Sequence, residues 1–175
     1  LEIKALTDRK GPDYGPRVLD DGRWIAYLGY DDKDYTNHLA DLYVMDTAGG
    51  SKRMLCGSLP SSPDDICWSE DGSGVYYMMA EKGESNLYFA PLGGPARTVT
   101  SGGHYMAGLS ISKTGRAAAI VSAFHQPGSI VTFTLIKPAD MKTIVDVNTD
   151  VREGKTLGEV EELWFKSADG WDIQG

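Results

Sequence analysis

Helical periodicity is what this chain lacks most clearly: no window of a dozen residues carries apolar positions at i, i+3, i+4 and i+7 behind a capping residue. A helical bundle is therefore excluded as the fold class. No stretch approaches the roughly 20 consecutive apolar residues that cross a bilayer, and Leu1 to Lys10 lack the apolar core of a signal peptide. No membrane partner is expected, although a parent chain can begin further upstream. Runs of Lys and Arg are missing too. With 17 basic and 25 acidic residues the net charge is −8, so a nucleic-acid backbone is repelled on average and is not an expected partner. Two cysteines, Cys56 and Cys67, are too few for a disulfide framework. They read as two small buried residues, with pairing across adjacent strands as the alternative in an oxidising compartment. At 175 residues the chain can bury one sizeable core without disulfides or metal.

What is present is repetition. Leu19-Asp20-Asp21-Gly22-Arg23-Trp24-Ile25-Ala26-Tyr27 aligns with Ser69-Glu70-Asp71-Gly72-Ser73-Gly74-Val75-Tyr76-Tyr77 and with Ser112-Lys113-Thr114-Gly115-Arg116-Ala117-Ala118-Ala119-Ile120. A looser copy begins at Ser167-Ala168-Asp169-Gly170-Trp171-Asp172-Ile173. A second register agrees: Leu42-Tyr43-Val44-Met45, Leu87-Tyr88-Phe89-Ala90 and Val131-Thr132-Phe133-Thr134 start 45 and 44 residues apart. Several short strands recurring every 40 to 50 or so residues are the signature of a β-propeller. The expected fold is all-β: a partial propeller of about three four-stranded antiparallel blades, followed by a C-terminal linker and hairpin. A ring closes with at least about four blades, so three imply that the chain is part of something longer.

Each unit reads as four strands. The first ends in a polar turn whose Gly accepts the positive φ of a tight hairpin. The second is nearly continuous apolar, as Trp24 to Tyr30, Val75 to Ala80 and Ala117 to Ala123, which fits a strand buried on both faces. A polar loop, a third strand and a Gly- or Pro-rich turn follow, the last of these turns at Lys137-Pro138-Ala139-Asp140. Outer strands are expected at Lys52 to Leu55, Arg97 to Thr100 and Lys142 to Val145, giving blades over 15–56, 65–100 and 105–147 of a propeller segment 1–147. By the same register 1–7 is the outer strand of a preceding blade. Residues 148–162 are charged and aperiodic, a linker with room for a short helical turn.

Leu6-Thr7-Asp8-Arg9-Lys10-Gly11-Pro12, with Pro16, Asp21-Gly22 and Tyr43-Val44-Met45-Asp46, resembles the propeller repeats of TolB and of prolyl oligopeptidase-like (S9) serine peptidases, the acylaminoacyl-peptidase and dipeptidyl-aminopeptidase type among them. The tail from Leu157 to Gly175 resembles the junction at which such peptidases pass into an α/β-hydrolase domain. On that resemblance 148–175 is a linker plus the first strands of a downstream hydrolase domain. As a fourth blade, Ser167 to Gly175 would instead be an inner hairpin. The 55 residues from Gly115 to Gly170, against 50 and 43 between earlier copies, favour the hydrolase start, because the excess falls in the charged linker.

The chemistry of such an enzyme is not in these residues. No Gly-x-Ser-x-Gly elbow occurs; the nearest run, Gly108-Leu109-Ser110-Ile111-Ser112, sits on an inner strand. His38, His104 and His125 fall in loops without the order of a triad. Catalytic residues are thus expected to be none in this segment, while the resembled parent is a serine exopeptidase or oligopeptidase. Asp31-Asp32-Lys33-Asp34 with His38 lacks the Gly and terminal Glu of a calcium loop, so it reads as a solvated acidic loop. No metal and no cofactor are expected, and scattered imidazoles argue against metal-dependent lyases built on related propellers.

Chain direction implies the rest. In an up-and-down blade the loops between strands two and three open on the face where the chain crosses to the next blade. That face carries 30–38, 81–86 and 124–129 with the crossings 57–65 and 101–105, and the linker leaves on it. The resemblance implies that a downstream hydrolase domain of the same parent chain covers it, and that short peptides are admitted or positioned there. Candidates to grip a peptide ammonium are Asp31, Asp32, Asp34, Glu81 and Glu84. The alternative is a TolB-like protein-binding module with no enzymatic partner domain, which leaves the tail without a role. Open outer faces bearing residues such as Trp24, Tyr27, Ala118 and Ile120 imply dimer formation through those faces. The expected compartment is the cytoplasm, with the periplasm as alternative.

Overall fold

A computed structural model describes residues 2–34, 36–57 and 59–175. Three four-stranded antiparallel units follow one another along the chain. The first blade is β1 (Asp13–Val18), β2 (Trp24–Gly29), β3 (Asp41–Asp46) and β4 (Arg53–Met54), paired in that order. The second is β5 (Pro63–Trp68), β6 (Gly74–Glu81), β7 (Glu84–Pro91) and β8 (Arg97–Thr98). The third is β9 (Tyr105–Ile111), β10 (Arg116–Ala123), β11 (Gln126–Thr134) and β12 (Lys137–Val145). A single turn of helix, α1 (Thr149–Arg152), and a separate hairpin, β13 (Trp164–Lys166) with β14 (Asp172–Gln174), complete the chain. The partial propeller read from the repeats is the fold, and the helical turn falls in the linker.

The continuous apolar second strands acquire their reason from packing. Val75, Tyr77 and Met79 of β6 join Ala26, Leu28, Leu42, Val44 and Leu55 in a core between the first two blades. Met78 and Leu87 join Met106, Ala117, Ala119, Val131 and Phe133 in a core between the second and third. Side chains alternate faces along a strand, so a middle blade that fills both cores must be apolar at every position. Small Ala117 and Ala119 leave room for Phe133 and Met106 within the second core.

The hairpins repeat one turn bond. Gly22, Gly72, Gly115 and Gly170 all have φ between 66° and 88°, and each donates its N–H to the carbonyl three residues before, at Leu19, Ser69, Ser112 and Ser167. A Cβ on Gly72 would also stand 3.0 Å from Leu19 Cδ2, so neighbouring turns interlock there. Asp71 accepts from the Ser69 and Ser73 hydroxyls and the Ser73 amide. Those bonds, the Ser69 hydroxyl first, hold its carboxyl down at about 2.

Repetition extends to a feature the sequence did not announce. Each inner strand breaks its ladder at a β-bulge: residues 15 and 16 oppose one residue of β2, 65 and 66 one of β6, 108 and 109 one of β10. The first bulged residues, Gly15, Asp65 and Gly108, have φ of 61°, 46° and 66°, each seven positions before the turn glycine. Pro16 has no amide to leave unpaired at the first bulge. At the second, Asp65 is a non-glycine residue in left-handed backbone, a conformation that Asp and Asn tolerate better than most residues.

Three expectations need correction. Residues 2–7 form no strand; Leu1 lies outside the described residues. Leu6 instead packs, with Tyr43, on the first blade's Ile25, Tyr27 and Met45, and the Arg9 guanidinium sits 4.1 Å from the Tyr43 ring centroid. Tyr27, expected on an open face, is therefore buried. The proposed turn at 137–140 belongs to β12, and the chain reverses at Leu135-Ile136, which puts Thr134 opposite Lys137. Irregular pairing between Lys137 and Lys142, with Pro138 in it, distorts this outer edge in a way that discourages further strand addition.

Leu87→Ala, which opens a cavity at a fully buried position, is expected to cost about 2–5 kcal/mol in denaturant unfolding. Ile136→Ala, at a 92% exposed turn, is expected to change stability by less than about 0.5 kcal/mol. Asp71→Ala is expected to lower the melting temperature near neutral pH. Because the folded carboxyl titrates lower than the unfolded one, the wild-type advantage is complete above the unfolded value and fades as pH falls through about 2; thermal melts across that window would test it.

Candidate functional site

The face on which the second-to-third-strand loops open is assembled by hydrogen bonds between crossings and strand starts. At the second crossing the Ser85 amide donates to the His104 carbonyl at 2.9 Å, and Ser85 and Tyr105 form a parallel bridge. The buried Thr100 hydroxyl donates to Asn86 Oδ1 and accepts the Leu87 amide, and Asn86 Nδ2 reaches the Gly102 carbonyl. At the first crossing the Leu59 amide donates to Asp41 Oδ1 at 3.4 Å, and the Ala40 amide to Ser62 Oγ at 3.0 Å. Asp41 and Asn86 are the same blade position, 45 residues apart, and each fastens the crossing that follows. Sequence reading passed them over, although the Leu42/Leu87 register it used sits one residue further on.

The C-terminal hairpin reaches this same face. Gln174 Nε2 donates to the Lys82 carbonyl at 2.9 Å and to Glu162 Oε1 at 2.8 Å. Its apolar residues Leu163, Trp164, Phe165 and Trp171 are all at least half exposed.

The five candidate carboxylates fall into two groups. Asp31, Asp32 and Asp34 lie in the first blade's loop, each beside a basic side chain: Arg9 at 3.6 Å, His38 at 3.5 Å and Lys10 at 3.8 Å respectively. His38 also stacks on Tyr30. Glu81 and Glu84 lie in the second blade and face each other across the two-residue turn Lys82-Gly83, whose φ values are 51° and 76°, the geometry of a type I′ hairpin. Like charges directly opposite on a ladder oppose pairing. Lys82 Nζ approaches Glu81 only to 3.9 Å. The structure thus keeps the two groups on separate blades rather than joining them in one cluster.

Two neighbours of this face carry perturbed groups. Burial pushes His104 below its ordinary value, with the charge of Glu84 working against that shift. Burial pushes Tyr14 up, and Asp64 and Tyr30 push it the same way. Tyr14 and Asp64 occupy equivalent positions on adjacent inner strands, 50 residues apart, just before the bulges. Both cysteines are free thiols; burial holds Cys67 at about 11 and raises Cys56. Among the described residues no group of three or more His, Cys, Asp or Glu could hold a metal ion.

No protein-family model matches the chain. It is 27% identical over 164 residues to dipeptidyl-peptidase 5 of Porphyromonas gingivalis, covering 93% of this chain and 24% of that protein. Identity to dipeptidyl-peptidase 5 of Schizosaccharomyces pombe is 22% over 174 residues, covering 98% and 25%. The chain therefore spans about a quarter of the length of these curated relatives. Its fold matches acylaminoacyl peptidase of Pyrococcus horikoshii with a TM-score of 0.69 at 19% identity, over 88% of this chain and 23% of that one. It also matches TolB of Acinetobacter baumannii with a TM-score of 0.62 at 14% identity, over 75% of this chain and 32% of that one. The β-propeller domain of the Trilobed protease from Pyrococcus furiosus is a further match, with a TM-score of 0.58 at 20% identity, over 78% and 38%. In sequence and in fold the chain is similar to the propeller portion of a prolyl oligopeptidase-like serine peptidase of the acylaminoacyl- and dipeptidyl-peptidase type, with TolB-like repeats.

Proposed function

We propose that this chain is a non-catalytic propeller segment that admits and positions short peptides for an α/β-hydrolase domain of the same parent chain. The observation that carries the reading is the seat of the C-terminal hairpin. Gln174 rests on the Lys82-Gly83 turn, so the chain leaves the blades on the face where Glu81, Glu84 and the crossings gather. A domain continuing from that hairpin would roof these loops. The exposed aromatic residues of a two-stranded hairpin, marginal by itself, would supply its buried edge. A TolB-like binding module accounts for the blades equally well but gives the hairpin no task.

Within this reading the second blade, not the acidic loop of the first, grips a peptide ammonium. Arg9 and Lys10 already stand beside Asp31 and Asp34, whereas Glu81 and Glu84 oppose each other across one turn with Lys82 near Glu81 alone, at 3.9 Å, and an incoming ammonium would relieve their repulsion. In the full-length parent, Glu84→Gln or Glu81→Gln is expected to raise KM for peptides with a free amino terminus about 10- to 100-fold, the equivalent of one charge-assisted hydrogen bond. Amino-terminally acetylated peptides should be unaffected. Equal effects on both substrates would defeat this assignment. Glu84→Gln should also move the His104 titration to still lower pH in proton NMR, since the charge that favours its imidazolium is removed.

Association through open blade faces belongs to the same proposal, restricted to the third blade because Leu6 and Arg9 cover the aromatic face of the first. Its outward row Ala107, Ile120, Ile130 and Val145 runs straight across all four strands, and the last three are 40–47% exposed. Light scattering of this segment should return a dimer that Ile120→Lys converts to monomer; a monomeric wild-type segment contradicts the pairing.

A further inference from the structure

The two junctions between blades are fastened differently. Between the second and third blades, Asp65 reaches over to the next bulge: its Oδ2 accepts the Gly108 amide at 2.7 Å and the Leu109 amide at 3.3 Å. A carboxylate on consecutive backbone amides is a charge-assisted clamp, stronger than a neutral pair. Ser85 adds to it, with its amide on the His104 carbonyl and its buried hydroxyl donating to the Met106 carbonyl at 2.8 Å. The parallel bridge between β7 and β9 then merges both blades into one continuous sheet.

Equivalent positions at the first junction lack each of these groups. Gly15 stands where Asp65 stands and has no carboxylate. Ala40 stands where Ser85 stands and has no hydroxyl; its amide donates to the Ser62 hydroxyl. The first blade remains a separate sheet. Among the described residues, apart from that Ala40–Ser62 bond, its direct hydrogen bonds to the second blade lie at the other end, on the hairpin-turn side: Trp68 Nε1 to the Arg17 carbonyl at 2.8 Å and Arg53 Nη1 to the Leu92 carbonyl at 2.6 Å. Lys113 Nζ, 3.0 Å from Asp20 Oδ2, ties the third blade's turn to the first blade's on that side as well. Between these ends the junction is apolar packing, which is non-directional and permits small sliding motions at little cost.

We propose that the second and third blades form one rigid body on which the first blade is hinged at the hairpin-turn side, so that the seam between the first and second blades opens on the crossing face. That this opening would widen access for peptides rests on the peptidase reading; the hinge itself does not. The clamp is transferable in principle. A Cβ on Gly15 meets nothing within 4 Å, and Asp already occupies the same left-handed backbone at position 65.

Double electron–electron resonance tests the hinge in this chain, with Cys56 and Cys67 replaced by Ser and spin-label pairs at Leu39/Ala80 for the first seam and Ala80/Ala123 for the second. All three label sites are exposed. The Leu39/Ala80 distribution is expected to be broader by about 1–2 Å, the scale of interface shear. Asp65→Gly, which removes the carboxylate and relieves the positive φ, should broaden the second seam; Gly15→Asp should narrow the first. Hydrogen exchange on the unsubstituted chain gives an independent reading, with Ala40 and Leu59 amides exchanging faster than those of Ser85, Gly108 and Leu109. Equal widths and equal protection at the two seams, or an Asp65→Gly variant with an unchanged second seam, overturn the proposal. Because neither readout involves peptide or activity, a wrong peptidase assignment would leave both intact.

Discussion

Everything in this molecule depends on the fact that a four-stranded blade apolar on both faces cannot stand alone. The middle blade shows it most plainly: Val75, Tyr77 and Met79 of β6 enter one core, Tyr76 and Met78 border the other. Each blade must be covered by a neighbour, so the chain is committed to radial stacking before any loop acquires a role. Where no blade lies alongside, other residues take over. Leu6 and Arg9 cover the aromatic face of the first blade, while the third presents Ile120 and Ile130 to solvent.

Stacking by apolar contact leaves orientation loosely specified, and the polar groups between blades supply the rest. The bulges are central to this. Each disrupts the ladder for two residues, and at 108–109 the freed amides are satisfied by Asp65 from the blade before. Proline at position 16 answers the same demand by removing a donor. One repeat unit thus yields a junction clamped on the crossing face and one that lacks the carboxylate clamp and the parallel bridge, through substitutions at two positions, 15/65 and 40/85.

The charged residues of the crossing face illustrate how tertiary neighbours change a local reading. Taken as a string, Asp31-Asp32-Lys33-Asp34 is the strongest acidic feature of the chain. In the fold Asp31 and Asp34 stand beside Arg9 and Lys10, which offset part of that charge. Glu81 and Glu84 carry less charge density in sequence, yet the two-residue turn sets them opposite one another beside a crossing that carries the half-buried His104. Proximity to this face, rather than density of charge along the chain, decides which carboxylates could meet a ligand.

Sequence alone determined the number of blades, the strand order and the four turn glycines, because these rest on short-range rules: side-chain alternation, hairpin chirality and repetition at a fixed spacing. It also determined that no nucleophile elbow lies in these residues. Only the tertiary structure decided that 2–7 forms no strand and that Leu6 packs on a blade, that 137–140 extends β12, and that Asp41, Asn86 and Asp65 fasten one blade to the next. Those outcomes turn on which donor meets which acceptor between segments 14 to 43 residues apart, and no local pattern encodes such a meeting.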